Sequence, residues 1–161
     1  MLNILRKNKK IILTVILVFS VVLLLIVNNK LFSNDQSKEE NKITKVCIKK
    51  NCFDIEIADT AQEQKIGLMN REFLALDSGM LFVFKKEDVY NFWMKNTLIP
   101  LDIIWIDKDN EIIFIKENVQ PCKTEQCETF GLNEKAKYVL EINGGLAEDV
   151  GLEIGDEAEF K

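Results

Sequence analysis

Histidine is absent from all 161 residues. Without an imidazole the isolated chain can form neither a histidine-based catalytic triad nor a histidine metal site. Acidic residues are also missing from one part of the chain, since none precedes Asp35. Residues 1–30 carry five basic and no acidic side chains, whereas residues 31–161 carry 16 basic against 26 acidic, a net −10. A domain that acidic lacks the basic surface that nucleic-acid phosphates require, so no nucleic-acid partner is expected. No Gly-rich phosphate loop, nucleophile motif or metal-ligand cluster is legible, and no cofactor is expected.

What the amino end does contain is an apolar run from Ile11 to Val27, interrupted only by Thr14 and Ser20. At the helical rise its length is about 26 Å, near the lower limit for crossing a bilayer. Arg6, Lys7, Lys9 and Lys10 precede it, and only Lys30 follows within ten residues. The asymmetry points to a cytoplasmic residue 1–10 segment, a signal anchor over 11–27 and an exported remainder at the cell membrane. The alternative is a cleaved signal peptide, but Asn28-Asn29-Lys30-Leu31-Phe32 has no small-x-small cleavage site. Residues 28–43 are mostly polar and read as a flexible linker to a domain over 44–161.

That domain alternates apolar and polar residues in short runs. Phe53, Ile55 and Ile57 face one way and Asp54 and Glu56 the other. Strands are expected at 46–49, 52–58, 80–84, 92–94, 101–106, 111–116, 138–142 and 158–160. Thr60-Ala61-Gln62-Glu63 has the capping-box pattern of a helix ending near Gly67, and 146–150 suits a second short helix before Gly151. The expected fold is mainly β (α+β): a small barrel-like or sandwich domain of six or seven short strands with one or two short helices.

Cys47 and Cys52 have four residues between them, as do Cys122 and Cys127. With Lys49-Lys50 as a two-residue turn, Cys47 faces Cys52 in a non-hydrogen-bonded pair, which a disulfide can bridge. Two local disulfides are expected in an exported domain. A four-thiolate zinc site is the alternative, against its usual closer spacing, and a redox pair would lack the Cys-x-x-Cys spacing. Asp107-x-Asp109-x-Glu111 has part of a calcium loop but not its glycine or distal glutamate, and reads as a turn.

The most unusual stretch runs from Asn91 to Asp102. If 92–94 is a strand, Trp93 and Lys95 share a face, close to Asn96, Thr97 and Asp102. An exposed Trp ringed by directional hydrogen-bonding groups suits a small polar or glycan ligand. The plainer alternative buries Trp93 in the core and pairs Lys95 with Asp102 at a turn.

The chain resembles the family known as domain of unknown function 192. The matching words are Gly67-Leu68-Met69, Gly79-Met80-Leu81-Phe82, Phe92-Trp93-Met94-Lys95-Asn96-Thr97 and Pro100-Leu101-Asp102. Pro121-Cys122, the run from Tyr138 to Gly145, and Gly155-Asp156 complete them. Lys65-Ile66 stands where an arginine often precedes the first word, and Arg71 follows it as a second cationic candidate. The resemblance implies a small β-rich, barrel-like domain, often exported, and no established activity; the Cys122/Cys127 pair is seen in many members.

Ligand-binding candidates are therefore Trp93, Lys95, Asn96, Thr97, Asp102 and Arg71. Glu56, Asp102 and Glu141 are the carboxylates that a hydrolase of envelope polysaccharide would use, if they converged. Glu56 and Glu141 are otherwise expected on solvated strand faces. A third reading is a structural or assembly partner of another envelope protein.

Overall fold

The computed structural model describes residues 43–161. The span expected over 11–27, and all but the last residue of the linker, lie outside the described residues. Among the described residues no helix is long and apolar enough to cross a membrane.

The elements in chain order are β1 (Lys45–Ile48), β2 (Asn51–Ala58), α1 (Ala61–Ile66), β3 (Ser78–Asp88), β4 (Phe92–Trp93) and β5 (Leu101–Ile106). They continue with β6 (Ile112–Val119), β7 (Thr129–Phe130), β8 (Ala136–Asn143), α2 (Leu146–Val150) and β9 (Ala158–Phe160). Seven strands form one curled half-barrel sheet in the order β6-β5-β8-β3-β2-β1-β9, and β4 pairs with β7 in a separate ribbon. Every pairing in the large sheet is antiparallel except β2 with β3, which run parallel around α1. Backbone bonds from Ile112 to Asp156 and from Ala158 to Asn110, both 2.8 Å, draw the edge strands β6 and β9 together at one seam.

The β1–β2 hairpin has the expected register, with Ile48 opposite Asn51 and Cys47 opposite Cys52. Lys49 takes a positive φ of 53° at its tip, as a two-residue turn requires. Both local disulfides are present, with Cα separations of 4.0 Å for Cys47–Cys52 and 5.9 Å for Cys122–Cys127. The capping box also forms: Glu63 N–H donates to Thr60 Oγ1 at 3.2 Å, and Thr60 N–H returns to Glu63 Oε2 at 3.0 Å.

Strand alternation divides the apolar residues between the two faces of the sheet. Leu81, Ile104, Ile106, Leu140 and Ile142 pack on one face with Val46, Phe53 and Leu152. Phe82, Ile103, Trp105 and Val139 pack on the other face beneath Leu68, Leu74 and Met94, which the loops supply. The second layer positions the site.

The structure differs from expectation at three places. β3 runs on to Asp88 through a register irregularity after Val83, so its polar half, Lys85 to Asp88, lacks the apolar signal of a strand. β7 is only two residues long and exists because Phe92 and Phe130 pair across it. The third difference is Met94. The chain leaves the strand there and turns back, with Thr97 N–H donating to Met94 O at 3.1 Å.

Candidate functional site

The second layer is incomplete over the middle of β8. Leu140 and Ile142 point into the first core, so Glu141 must point to the opposite face. There it lies under α1 and the turn after it, and is only 4% exposed. Gly67, with φ +49°, opens this spot. A Cβ at residue 67 would meet Phe82 Cζ at 3.2 Å and Glu141 Oε2 at 4.0 Å. The result is a narrow cleft of about 30 Å3, walled by Gly67, Phe82, Phe92, Trp93 and Thr97, with Glu141 at its floor.

The aromatic wall is fixed from behind. Trp105 Nε1 donates to Tyr90 O at 2.8 Å, and the Phe92 ring meets Trp105 and Phe82 edge-on at 5.7 and 4.8 Å. Phe92 being held, Trp93 comes to the rim, where it is 45% exposed, while Trp105 is the tryptophan that fills the core. Thr97 is buried beside the cleft by the turn on Met94. A left-handed Asn96 makes that turn possible at φ 58°. Asn96 N–H donates to Cys122 O and Cys122 N–H to Met94 O, both at 3.1 Å, so the Cys122–Cys127 loop clips this segment in place.

No hydrogen bond from the described residues holds the Glu141 carboxyl. Burial alone pushes its pKa up to about 8, from an ordinary glutamate near 4.5. The side chain is therefore largely protonated at neutral pH and can both donate and accept within the cleft. Gln64, also on the cleft wall, is already committed, its amide donating to the carbonyls of Ala58 and Val83 at 3.3 and 3.0 Å.

Of the residues singled out from the sequence, Trp93, Thr97 and Glu141 meet at this cleft. Lys95 stands above the Trp93 ring at 5.8 Å from its centroid and pairs with Glu125 at 3.2 Å, not with Asp102. Asn96 contributes backbone conformation. Arg71 forms a two-pronged ion pair with Glu56, which lowers the Glu56 pKa and raises that of Arg71. Asp102 belongs to the other face. It is fully buried and accepts the backbone N–H groups of Asn118 at 2.6 Å, Gly145 at 2.8 Å and Ala147 at 2.6 Å, tying the start of α2 to β5 and β6. The three carboxylates do not converge. Glu56 and Glu141 share a face, and Asp102 lies behind it.

A second, wider groove of about 940 Å3 lies beyond α1, lined by Phe84, Lys85, Lys86, Tyr90 and Lys137. Two of its polar groups are occupied: Lys137 Nζ donates to Phe84 O at 2.6 Å, and the Tyr90 hydroxyl to Lys86 O at 2.7 Å. It offers no free polar group comparable to Glu141.

The feature sequence reasoning missed is the burial of Glu141. The signal was available, because Glu141 stands between Leu140 and Ile142 in a strand whose neighbours Tyr138 and Val139 are also apolar. A strand apolar on both faces is covered on both faces.

This half-barrel with a two-stranded ribbon is an architecture also seen in solved bacterial proteins. A protein of unknown function from Novosphingobium aromaticivorans DSM 12444 is similar, with 37% identity and a TM-score of 0.68 over 73% of this chain and 84% of that one. A Sinorhizobium meliloti 1021 protein, described as a proposed transcription regulator, is similar at 34% identity and a TM-score of 0.68, over 72% of this chain and 92% of its own. No curated protein matches. The model of the DUF192 family, described as an uncharacterised conserved group, matches residues 44–160, and the chain belongs to that family.

Proposed function

We propose that this chain is a binding or accessory module, held at the outer side of a membrane by residues 11–27, whose cleft takes the tip of a small polar or glycan ligand. The observation that carries this reading is Glu141. An ionisable side chain left only 4% exposed, with no hydrogen bond to its carboxyl from the described residues, costs stability, and a fold that keeps one at the floor of an open cleft keeps it for something that enters. The half-exposed Trp93 at the rim supplies the flat apolar surface, and Thr97 the second polar side chain. Among the described residues no pairing of a nucleophile with a base lines the cleft beside them.

The test is a titration of the domain with glucose, N-acetylglucosamine, glucosamine and simple amines, followed by the indole N–H resonance of Trp93. Binding that shifts this resonance, and that Glu141→Gln or Trp93→Ala weakens at least tenfold, supports the reading. Silence of Trp93 towards every probe sinks it.

One observation favours the hydrolase reading. Glu56 and Glu141 lie on the same face, and their surroundings push their pKa values apart, as an acid and a base require. Release of reducing ends from envelope polysaccharide, lost in both Glu56→Gln and Glu141→Gln, would replace the binding module with an enzyme.

A further inference from the structure

Resting on that reading of the cleft, we infer that the group it takes is a primary ammonium, the cationic tip of an amine or lysine-type chain, seated on the Glu141 carboxylate between aromatic walls. The cleft holds one acidic side chain and few donors. Thr97 supplies a hydroxyl, and the Gln64 Nε2 donor is spent on two backbone carbonyls, which leaves the Gln64 Oε1 acceptor on the wall. A sugar ring needs several directional donors and acceptors, whereas an ammonium needs acceptors and a π-face. The rings of Phe82, Phe92 and Trp93 supply that face. The cleft is narrow, with about 30 Å3 of space, which favours the tip of a linear chain over a bulky ring.

The protein's own cations are kept away from the floor. Arg71 is held by Glu56, and Lys95 by Glu125. Lys65 alone among basic side chains lines the cleft, and it is exposed at the rim. Lys116 shares the face of Glu141 but stands two strands away, on the side opposite Glu56, with its ammonium over the Phe130 ring. Residues 43–161 carry 14 basic against 23 acidic side chains, a net −9, which concentrates cations at the surface.

Binding a cation requires the Glu141 carboxyl to give up its proton, so amine uptake releases close to one proton per site at pH 6–7. The experiment is calorimetry of the folded domain with n-butylammonium and with its neutral counterpart n-butanol, in phosphate and in MOPS, neither of which is a primary amine. Cadaverine and an Nα-acetyl-lysine methylamide form parallel arms that separate a free diamine from a protein side chain. Expected results are at least tenfold preference for the amine over the alcohol, an affinity rising close to tenfold per pH unit from 6 to 7.5, and heats that differ between buffers by one proton. Glu141→Gln should lose the amine by at least tenfold, and Lys65→Ala should bind it at least as well as wild type. Should Glu141→Gln fail to fold, Gly67→Ala, which narrows the same cleft, should also weaken the amine. Equal binding of alcohol and amine, or a pH-independent affinity, overturns the inference. A neutral sugar that shifts Trp93 while butylammonium does not would overturn the ammonium and leave the binding-module reading standing. If no probe moves Trp93, both fall.

Discussion

Glu56 and Glu141 stand on one rung and one face of the sheet with only Met80 between them, yet their carboxyls are driven in opposite directions. The rung crosses five strands as Glu56, Met80, Glu141, Ile103 and Lys116. At the open edge of the covering loop, Glu56 meets Arg71 and is held charged. Two strand spacings inward, about 10 Å at the backbone, Glu141 meets no cation and is held neutral. One face of one sheet thus makes a permanent anion and a proton-bearing acid from the same side chain.

The pH dependence of stability follows from Glu141. Its folded pKa of about 8 lies above its unfolded value near 4.5, so the folded state binds more protons between those pH values. Stability therefore falls as pH rises from about 4.5 and levels off above about 8, a loss of roughly 5 kcal/mol. Urea midpoints at pH 5, 6, 7 and 8 should decline in wild type and stay flat in Glu141→Gln. Parallel slopes in the two proteins would show that Glu141 is not held neutral.

Arg71 and Glu56 are partly exposed, so solvent screens their pair despite its two-pronged geometry. A double-mutant cycle with Arg71→Ala and Glu56→Ala should give a coupling of about 0.5–1 kcal/mol at pH 7. Because the Glu56 pKa is lowered, the coupling is present above its unfolded pKa and is lost as pH falls through the folded value. The same cycle should give a progressively smaller coupling as the pH is lowered below the ordinary glutamate range.

Local chemistry made much of this molecule legible before its coordinates. The β1–β2 register, the capping box on Thr60 and both disulfides are short-range features, each set within six residues by turn geometry or side-chain reach. What stayed hidden depends on contacts between distant parts of the chain. Nothing near Asp102 in sequence indicates that its acceptors will meet the amides of Gly145 and Ala147, over 40 residues away. Trp93 and Trp105 are both flanked by apolar residues, and only the packing of Phe92 and Tyr90 decides which is buried. The cleft is likewise a meeting of α1, β4 and β8, so Trp93 and Thr97 could be nominated singly but not joined to Glu141.

Asp102 is expected to matter for folding. Asp102→Ala leaves three backbone N–H groups buried without a partner, at a cost of roughly 3–5 kcal/mol. Asp102→Asn keeps one oxygen and should cost about 1–2 kcal/mol, providing a folded variant for measurement. Chemical denaturation should rank wild type above Asp102→Asn and Asp102→Ala last. A loss under 0.5 kcal/mol for the alanine variant would contradict the tie.

Two glycines separate backbone strain from crowding. Gly145 has φ +85° and open space around a built Cβ, whereas Gly67 has φ +49° and Phe82 Cζ at 3.2 Å. Alanine at Gly145 carries the left-handed penalty of about 1 kcal/mol, whereas at Gly67, where ψ is −134°, the backbone penalty is larger and the Phe82 ring must also be displaced. Gly67→Ala should therefore be the more destabilising by denaturant midpoint, and it alone should move the Trp93 resonance.

The disulfides permit a similar separation of local from transmitted effects. Each closes a loop with a sequence separation of 5, so replacing either pair by serines should cost about 2 kcal/mol through the unfolded chain. The pairs share no contact, and the two losses should add within about 0.5 kcal/mol. Their effects on the cleft should differ. Cys47–Cys52 sits in the β1–β2 hairpin, whereas Cys122 exchanges backbone hydrogen bonds with Met94 and Asn96, the turn that carries Thr97 and follows Trp93. Opening Cys122–Cys127 frees the Glu125 loop and with it the hold on Lys95. Cys122→Ser/Cys127→Ser should thus shift the Trp93 indole resonance and weaken any cleft ligand, while Cys47→Ser/Cys52→Ser lowers stability and leaves both unchanged. A Trp93 resonance indifferent to the 122–127 bond would mean that β4 and the turn on Met94 hold the rim unaided.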